Sequence, residues 1–209
     1  NTTPIVETIG FIQYSENFLY VAFHAKTNEP VRAAVRKRDD MGSLGNDLIG
    51  ISIDTYGDGR NNVFIGSNPL GSQIDVRILN SISDEGRYDL AYDLEYESVG
   101  IIGDNEYFVE LKIPFSSISF SNNKIQKWKF SFVRRYLDYA ISTSKDDRDN
   151  SCITCQLNDF IVFDRFKVDK KFDLLPYISS NLIGDNNSNT QKINYSKIKP
   201  SIGIGVNAE

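Results

Sequence analysis

The sequence predicts an all-β chain, an antiparallel β-sandwich, on three observations. Apolar and polar residues alternate with period two through successive runs, Gly, Asn, Asp or Ser flank each run, and no useful length carries the 3.6-residue period of a helix. Composition agrees: 40% hydrophobic and 12% aromatic residues, the aromatics nearly all Phe and Tyr, suit a β-rich globular chain rather than a disordered one. The 209 residues supply one sizeable core and a fragment beyond it.

In chain order, a first strand is expected over 5–14. "FLYVAFHA" follows, with Leu19, Val21 and Phe23 on one face and Phe18, Tyr20 and Ala22 on the other; two apolar faces mark it as central. A strand is expected over 31–37, and then "LIGISIDTY" sends Ile49, Ile51 and Ile53 one way and Gly50, Ser52 and Asp54 the other. Further strands are expected over 62–67, 73–79 and 92–101. "NEYFVELKIPF" turns Tyr107, Val109, Leu111 and Ile113 inward and Glu110 and Lys112 outward until Pro114 ends the ladder, with one short turn over 114–118. "KWKFSFVRR" buries Trp128, Phe130 and Phe132, and a strand over 159–167 completes the series. After about Lys171 the texture changes: "FDLLPYISSNLIG" and "IKPSIGIGVNAE" alternate with small residues around a polar stretch. Thin, glycine-tolerant strands of this kind are how a transmembrane β-barrel begins, and they equally fit edge strands or a packed tail of the sandwich.

A formal charge of −5 and a pI near 5.0 exclude nonspecific nucleic-acid binding, which needs a basic surface; the one basic run, Arg36-Lys37-Arg38, is followed at once by Asp39-Asp40. No stretch approaches the ~20 apolar residues of a membrane-spanning helix, and residue 1 begins no signal peptide, which leaves room for the mature part of an exported protein. Cys152 and Cys155 are the two cysteines, and with one histidine in the chain they lack the partners of a zinc site. They are expected to form a local disulfide or to be two inert thiols.

The order of blocks is more specific than the composition. "ENFLYVAFHA", "KRDDMGSLGNDLIGISIDTYGDGRNNVFIGSNPLGSQID", "YDLEYESVG", "EYFVELKIPFSSISF", "WKFSFVRR" and "LLPYIS" follow one another as in the amino-terminal domain of a family of Bacteroidetes outer-membrane proteins, which this chain resembles from about residue 5 to its end. In that family a domain similar to the family 9 carbohydrate-binding modules precedes a large uncharacterised β-barrel. The resemblance implies a sandwich over 1–170, its first strand lying upstream, and the start of a barrel over 171–209. It also implies an extracytoplasmic place in the outer membrane or periplasm, an oligo- or polysaccharide ligand, and structural calcium. Tyr92 and Tyr96 stand where relatives tend to carry two tryptophans.

Three residue sets could carry function. Asp54, Asp58 and Asp39 are the candidate calcium ligands; "DTYGDG" sets Asp54 and Asp58 four apart before a glycine turn, while Tyr56 stands where an EF-hand-type loop has an oxygen ligand. The bland reading is a hairpin turn at Asp58-Gly59 with Asp54 paired to Arg38 or Arg60. Arg38, Asp39, Arg60, Arg134 and Arg135 could form an ion-pair network or hydrogen-bond sugar hydroxyls. A sugar platform needs an exposed flat ring with a solvated polar edge, and Tyr92, Tyr96 and Tyr56 are the candidates; four residues apart, Tyr92 and Tyr96 share a face of a regular strand. Catalysis has little support: His24 lies in an alternating strand, and the glycine stretches lack a phosphate loop's lysine and strand-to-helix setting. The expectation is therefore noncatalytic glycan or polymer recognition. The alternative is a protein-interaction or plug-like domain with no sugar ligand.

Overall fold

The structure, a computed structural model, describes residues 5–40, 45–79, 87–137, 139–144, 152–166, 172–187 and 192–208. The chain divides into two compact units, Asn1–Val168 and Asp169–Glu209.

In the first unit the strands are β1 (Thr8–Tyr14), β2 (Phe18–Lys26), β3 (Leu48–Asp54), β4 (Asn61–Ser67), β5 (Gln73–Leu79), β6 (Tyr88–Asp89), β7 (Glu97–Gly103), β8 (Glu106–Pro114), β9 (Gln126–Tyr136), β10 (Tyr139–Ser142) and β11 (Asp159–Phe163). Among the described residues they form a four-stranded sheet in the order β1-β2-β8-β7 and a seven-stranded sheet in the order β10-β9-β3-β4-β5-β6, with β11 also along β9. Every pairing is antiparallel. This is the β-sandwich that the alternation predicts.

The inward residues interdigitate between the sheets. Leu19, Val21, Phe23 and Ala25 of β2 and Tyr107, Val109, Leu111 and Ile113 of β8 meet Ile49, Ile51 and Ile53 of β3, Ile65 of β4 and Trp128 of β9 in one buried cluster. Each such aliphatic side chain contributes about 1.5–3 kcal/mol relative to exposure, so this alternation dominates the fold's energetics. Phe130 and Phe132 pack against the same cluster from half-buried positions. Pro114 ends β8, and a 3-10 turn over Phe115–Ser117 drops the buried Phe115 edge-on against Trp128.

Two expected strands differ for one physical reason. Residues 31–37 pair in no ladder; their backbone groups bond singly, Asp47 N donating to Arg32 O (2.7 Å), Asn68 Nδ2 to Ala34 O (2.7 Å) and Arg36 N to Ser72 Oγ (3.0 Å). Residues 92–96 likewise precede β7 rather than belong to it, held by Asp75 and Gln73 side chains on the backbone of Leu94 and Tyr96. Strand β1 starts at Thr8 and β11 stops at Phe163, both inside the expected limits, and residue 167 lies outside the described residues.

In the second unit β12 (Phe172–Asn181) pairs with β15 (Lys199–Ala208), and β13 (Gly184–Asn187) pairs with β14 (Lys192–Tyr195). The register of the long ribbon puts Leu174, Pro176 and Ile178 opposite Val206, Ile204 and Ile202 on one face, and Leu175 and Tyr177 opposite Gly205 and Gly203 on the other. No helix among the described residues is long and apolar enough to cross a membrane.

Candidate functional site

The "DTYGDG" turn is built on one carboxylate. Asp54 is fully buried, and it accepts hydrogen bonds from the amides of Tyr56 (3.2 Å), Gly57 (2.7 Å) and Gly59 (2.9 Å). Gly57 and Gly59 take φ of 70° and 68°, the left-handed region where glycine costs least, and that curls the amides inward. Asp58 accepts from the Arg60 amide (2.9 Å), and the Tyr56 and Arg60 side chains point to solvent. Cys152 and Cys155 form a disulfide. Between them Thr154 donates its hydroxyl to the Gly59 carbonyl, which clasps this turn.

The candidate calcium set does not assemble. The Asp54 oxygens are taken up by three amide hydrogens, whose partial positive charge stands where a cation would and repels one, and Asp39 lies instead with Asp75 and Asp93, whose carboxylates converge within 4.8 Å. That second trio surrounds a guanidinium: Arg38 reaches Asp75 at 2.5 Å, Asp93 at 2.9 Å and Asp39 at 3.4 Å. Asp54, Asp58 and Asp39 therefore do not fit a shared calcium ion.

The inner face of β5 explains the Arg38 cluster. Gln73, Asp75 and Arg77 alternate there, and the 92–96 segment lies over them. Arg38 Nη1 donates to Gln73 Oε1 (3.1 Å), Arg38 Nη2 also donates to the Leu94 carbonyl, and the Leu94 amide donates to Asp75 Oδ2 (2.7 Å). Burial outweighs these partners and pushes the Asp75 carboxyl up to about 6. Arg77 pairs with Asp89 (2.5 Å) and sits 5.3 Å over the Tyr92 ring.

Tyr96 is only 7% exposed; its hydroxyl donates toward the carbonyls of Gly66 (2.7 Å) and Ile74 (3.1 Å), and burial holds its phenol well above the usual range. A ring so enclosed offers no face to a sugar, so the expectation of a platform at Tyr96 is corrected: it is a core residue. Tyr92, half-buried under Arg77, shares no strand face with it, because no strand runs through 92–96. Arg134 is likewise structural. It is 2% exposed, donates to Thr8 Oγ1 (2.7 Å) and Lys26 O (2.9 Å), and stacks 5.1 and 4.9 Å from the Tyr107 and Tyr136 rings, tying β9 to the other sheet.

The outer face of the seven-stranded sheet is different. Phe64, Ile74 and Val76 form a second apolar cluster with Leu48, Ile78 and Val133, and this is the floor of a groove of about 470 Å³. Phe64 lies flat because Gly50 and Gly66 face each other beneath it; a Cβ on Gly66 would stand 2.6 Å from its ring. Tyr88 of β6 and Tyr139 of β10, from the two end strands of the sheet, line the groove with Arg135 and Ser52. Tyr88 is 50% and Tyr139 58% exposed. Both rings have the exposure that Tyr96 lacks.

Sequence reasoning missed Tyr88 and Tyr139 because both sit on strands too short to show alternation. One signal was available: "QIDVRIL" sets Gln73, Asp75 and Arg77 against Ile74, Val76 and Ile78, and the apolar set turns away from the main core.

Neither a scan of protein families nor a comparison with curated proteins gives a match. Solved structures share the fold. A candidate carbohydrate-binding protein from Bacteroides uniformis is similar over 78% of this chain and 79% of its own, at 14% identity and a TM-score of 0.56. A family 9 carbohydrate-binding module from Caldicellulosiruptor kristjanssonii, in complex with cellotriose, is similar over 80% of this chain and 78% of its own, at 13% identity and a TM-score of 0.51. The first unit thus has the β-sandwich architecture of the family 9 carbohydrate-binding modules. At such identity the likeness is one of fold, and what the chain binds has to be argued from its own groove.

Proposed function

We propose that this chain is a noncatalytic glycan-recognition module of an extracytoplasmic protein, and that its ligand lies in the groove on the outer face of the seven-stranded sheet. The carrying observation is the pair of exposed tyrosines, Tyr88 and Tyr139, on a groove of about 470 Å³ that also holds Arg135 and Ser52. An exposed tyrosine presents an apolar face to the C–H face of a pyranose while its hydroxyl stays solvated. The volume falls in the range of about 300–1,000 Å³ usual for small-ligand sites. The shared fold of a module in complex with cellotriose supports the reading. Against a catalytic role, His24 bonds Glu106 (2.7 Å) and stacks on Phe108 (ring centroids 4.5 Å apart) in the other sheet.

The Cys152–Cys155 disulfide supports an oxidising compartment such as the periplasm. The β12–β15 ribbon supports a barrel continuing from the second unit: its strands are ten residues long, against about 9–11 for a membrane-crossing strand, and one face is apolar from Leu174 to Ile178 and from Ile202 to Val206.

The test is the thermal midpoint against a panel of mono- and oligosaccharides, for the wild type, Tyr88→Ala and Tyr139→Ala. A ligand at about a hundred times its dissociation constant stabilises the fold by about 2.7 kcal/mol. The expected result is a sugar-specific rise in the wild type that both variants lose. A flat panel contradicts the proposal and favours the second reading, a protein-interaction domain, for which the outer face of the four-stranded sheet, with Phe11, Val99 and Ile101 exposed, is the supporting observation.

A further inference from the structure

The groove shares Leu48, Ile74 and Arg135 with a second, smaller pocket of about 60 Å³. The lining changes character across those three residues. The larger part is apolar and aromatic; the smaller is lined by Arg36, Lys37, Asn46, Ser72 and Gln73, with Asp40 and Asp47. Arg135 stands at the junction, placed by its register opposite Leu48 of β3 and Ala140 of β10.

Among the described residues the Arg135 guanidinium has no hydrogen bond, ion pair or ring partner, although the residue is half-buried. The contrast with the other arginines of this sheet and its cover is sharp. Arg38 is shared among three carboxylates, Arg77 pairs with Asp89, and Arg134 is held by a hydroxyl, a backbone carbonyl and two rings. A partly desolvated cation without a counter-charge is costly, and a planar guanidinium is the group best matched to a carboxylate.

The surroundings leave that charge uncancelled. Three cations, Arg36, Lys37 and Arg135, line the small pocket with two carboxylates, of which Asp40 lies 3.9 Å from Arg36 and Asp47 is buried, its carboxyl pushed up by desolvation. This local positive excess occurs in a chain of net charge −5. Asn46 adds a buried side-chain amide nitrogen with no hydrogen-bond partner.

We propose that the groove takes a carboxylated glycan, an oligosaccharide containing hexuronate, with the ring carboxylate on Arg135 at the junction and neighbouring rings along Tyr88 and Tyr139. This rests on the glycan reading above and adds the substrate class. Arg135 is then the specificity-determining residue: the apolar floor accepts any pyranose face, and the guanidinium selects the acidic one.

The experiment is calorimetric titration of the full chain with matched trimers, neutral and uronate, of the gluco, galacto and manno series. The probes include cellotriose and its triuronate. At least one uronate trimer is expected to bind about tenfold or more tightly than its neutral partner, a gap of about 1.4 kcal/mol. The gap narrows as salt is raised, closes in Arg135→Gln and is largely kept in Arg135→Lys, which retains the charge. If Arg135→Gln does not fold, the salt dependence and the lysine variant carry the test. Neutral trimers that bind as tightly as uronates overturn the inference and leave the glycan reading intact, whereas no binding by any trimer overturns both. A sulfated trimer held equally through Arg135 overturns the carboxylate assignment in favour of general anion recognition.

Discussion

On the inner face of β5 the side chains of Gln73, Asp75 and Arg77 are all taken up by neighbours of the same chain, whereas on the outer face Ile74, Val76 and Ile78 meet a groove whose tyrosines and arginine are left open. Both faces hold tyrosine and arginine, so residue type alone does not separate them. What separates them is saturation. Around Arg38 both terminal nitrogens of the guanidinium donate to a carboxylate, a side-chain carbonyl or a backbone carbonyl, Nε lies 3.4 Å from the Asp39 carboxylate, and the cluster fixes the 92–96 segment where no ladder does. Along the groove the same chemistry is available to something else. A polar cluster engaged by its own chain builds structure; one left open beside exposed rings is a candidate site.

That contrast can be broken in four places. Tyr96→Ala removes a buried ring and two hydrogen bonds to strand carbonyls, and urea unfolding is expected to show a loss of about 3–5 kcal/mol. A variant with unchanged stability would place Tyr96 outside the core.

Asp75 gives the second, through pH. Burial pushes its carboxyl up to about 6 in the fold from the ordinary 3.8, so between those values the folded chain holds more protons than the unfolded one, and stability falls as pH rises. Below about 4 the contribution is fully present; above 6 it is gone. The stability of the wild type relative to Asp75→Asn should therefore drop by about 3 kcal/mol across that window, and a difference independent of pH would show that Arg38 and the Leu94 amide hold the carboxylate ionised.

The third test concerns the groove. Tyr88→Ala and Tyr139→Ala leave the folded core intact and should change unfolding free energy by no more than about 0.5 kcal/mol each, while reducing oligosaccharide affinity about tenfold or more, the scale on which exposed rings anchor a ligand. Reversed effects, with stability lost and affinity kept, would make them structural like Tyr96. The smallest effect is expected at the far turn: Tyr56→Ala and Arg60→Ala, solvent-facing on the Asp54 loop, should alter neither the thermal midpoint nor the titration isotherm.

The sandwich was legible because its core strands are long and regularly alternating; β2, β3, β8 and β9 carry their inward residues where the period-two pattern puts them. Residues 31–37 and 92–96 misled for the same physical reason. Their composition is strand-like, but their hydrogen bonds run to side chains of Asn68, Ser72, Gln73 and Asp75, partners set by tertiary contact and invisible to a local pattern. The tyrosines misled on related grounds: Tyr96 reads as a platform until Gly66 and Ile74 claim its hydroxyl, and Tyr88 and Tyr139 show no local signal until the sheet brings their short strands to the groove. Arginine roles were least readable of all. Arg134 and Arg135 are adjacent in sequence, yet alternation sends one into a buried set of hydrogen bonds and the other onto the open face.

Binding in the groove rather than at the Arg38 cluster is tested by an NMR titration of the isotopically labelled chain with the tightest-binding oligosaccharide. Chemical-shift changes are expected to be confined to Tyr88, Tyr139, Arg135, Val133 and Val76, with Arg38, Tyr92 and Asp93 unmoved. Shifts centred on Arg38, Tyr92 and Asp93, with the groove silent, would contradict it and move the site to the inner face of β5.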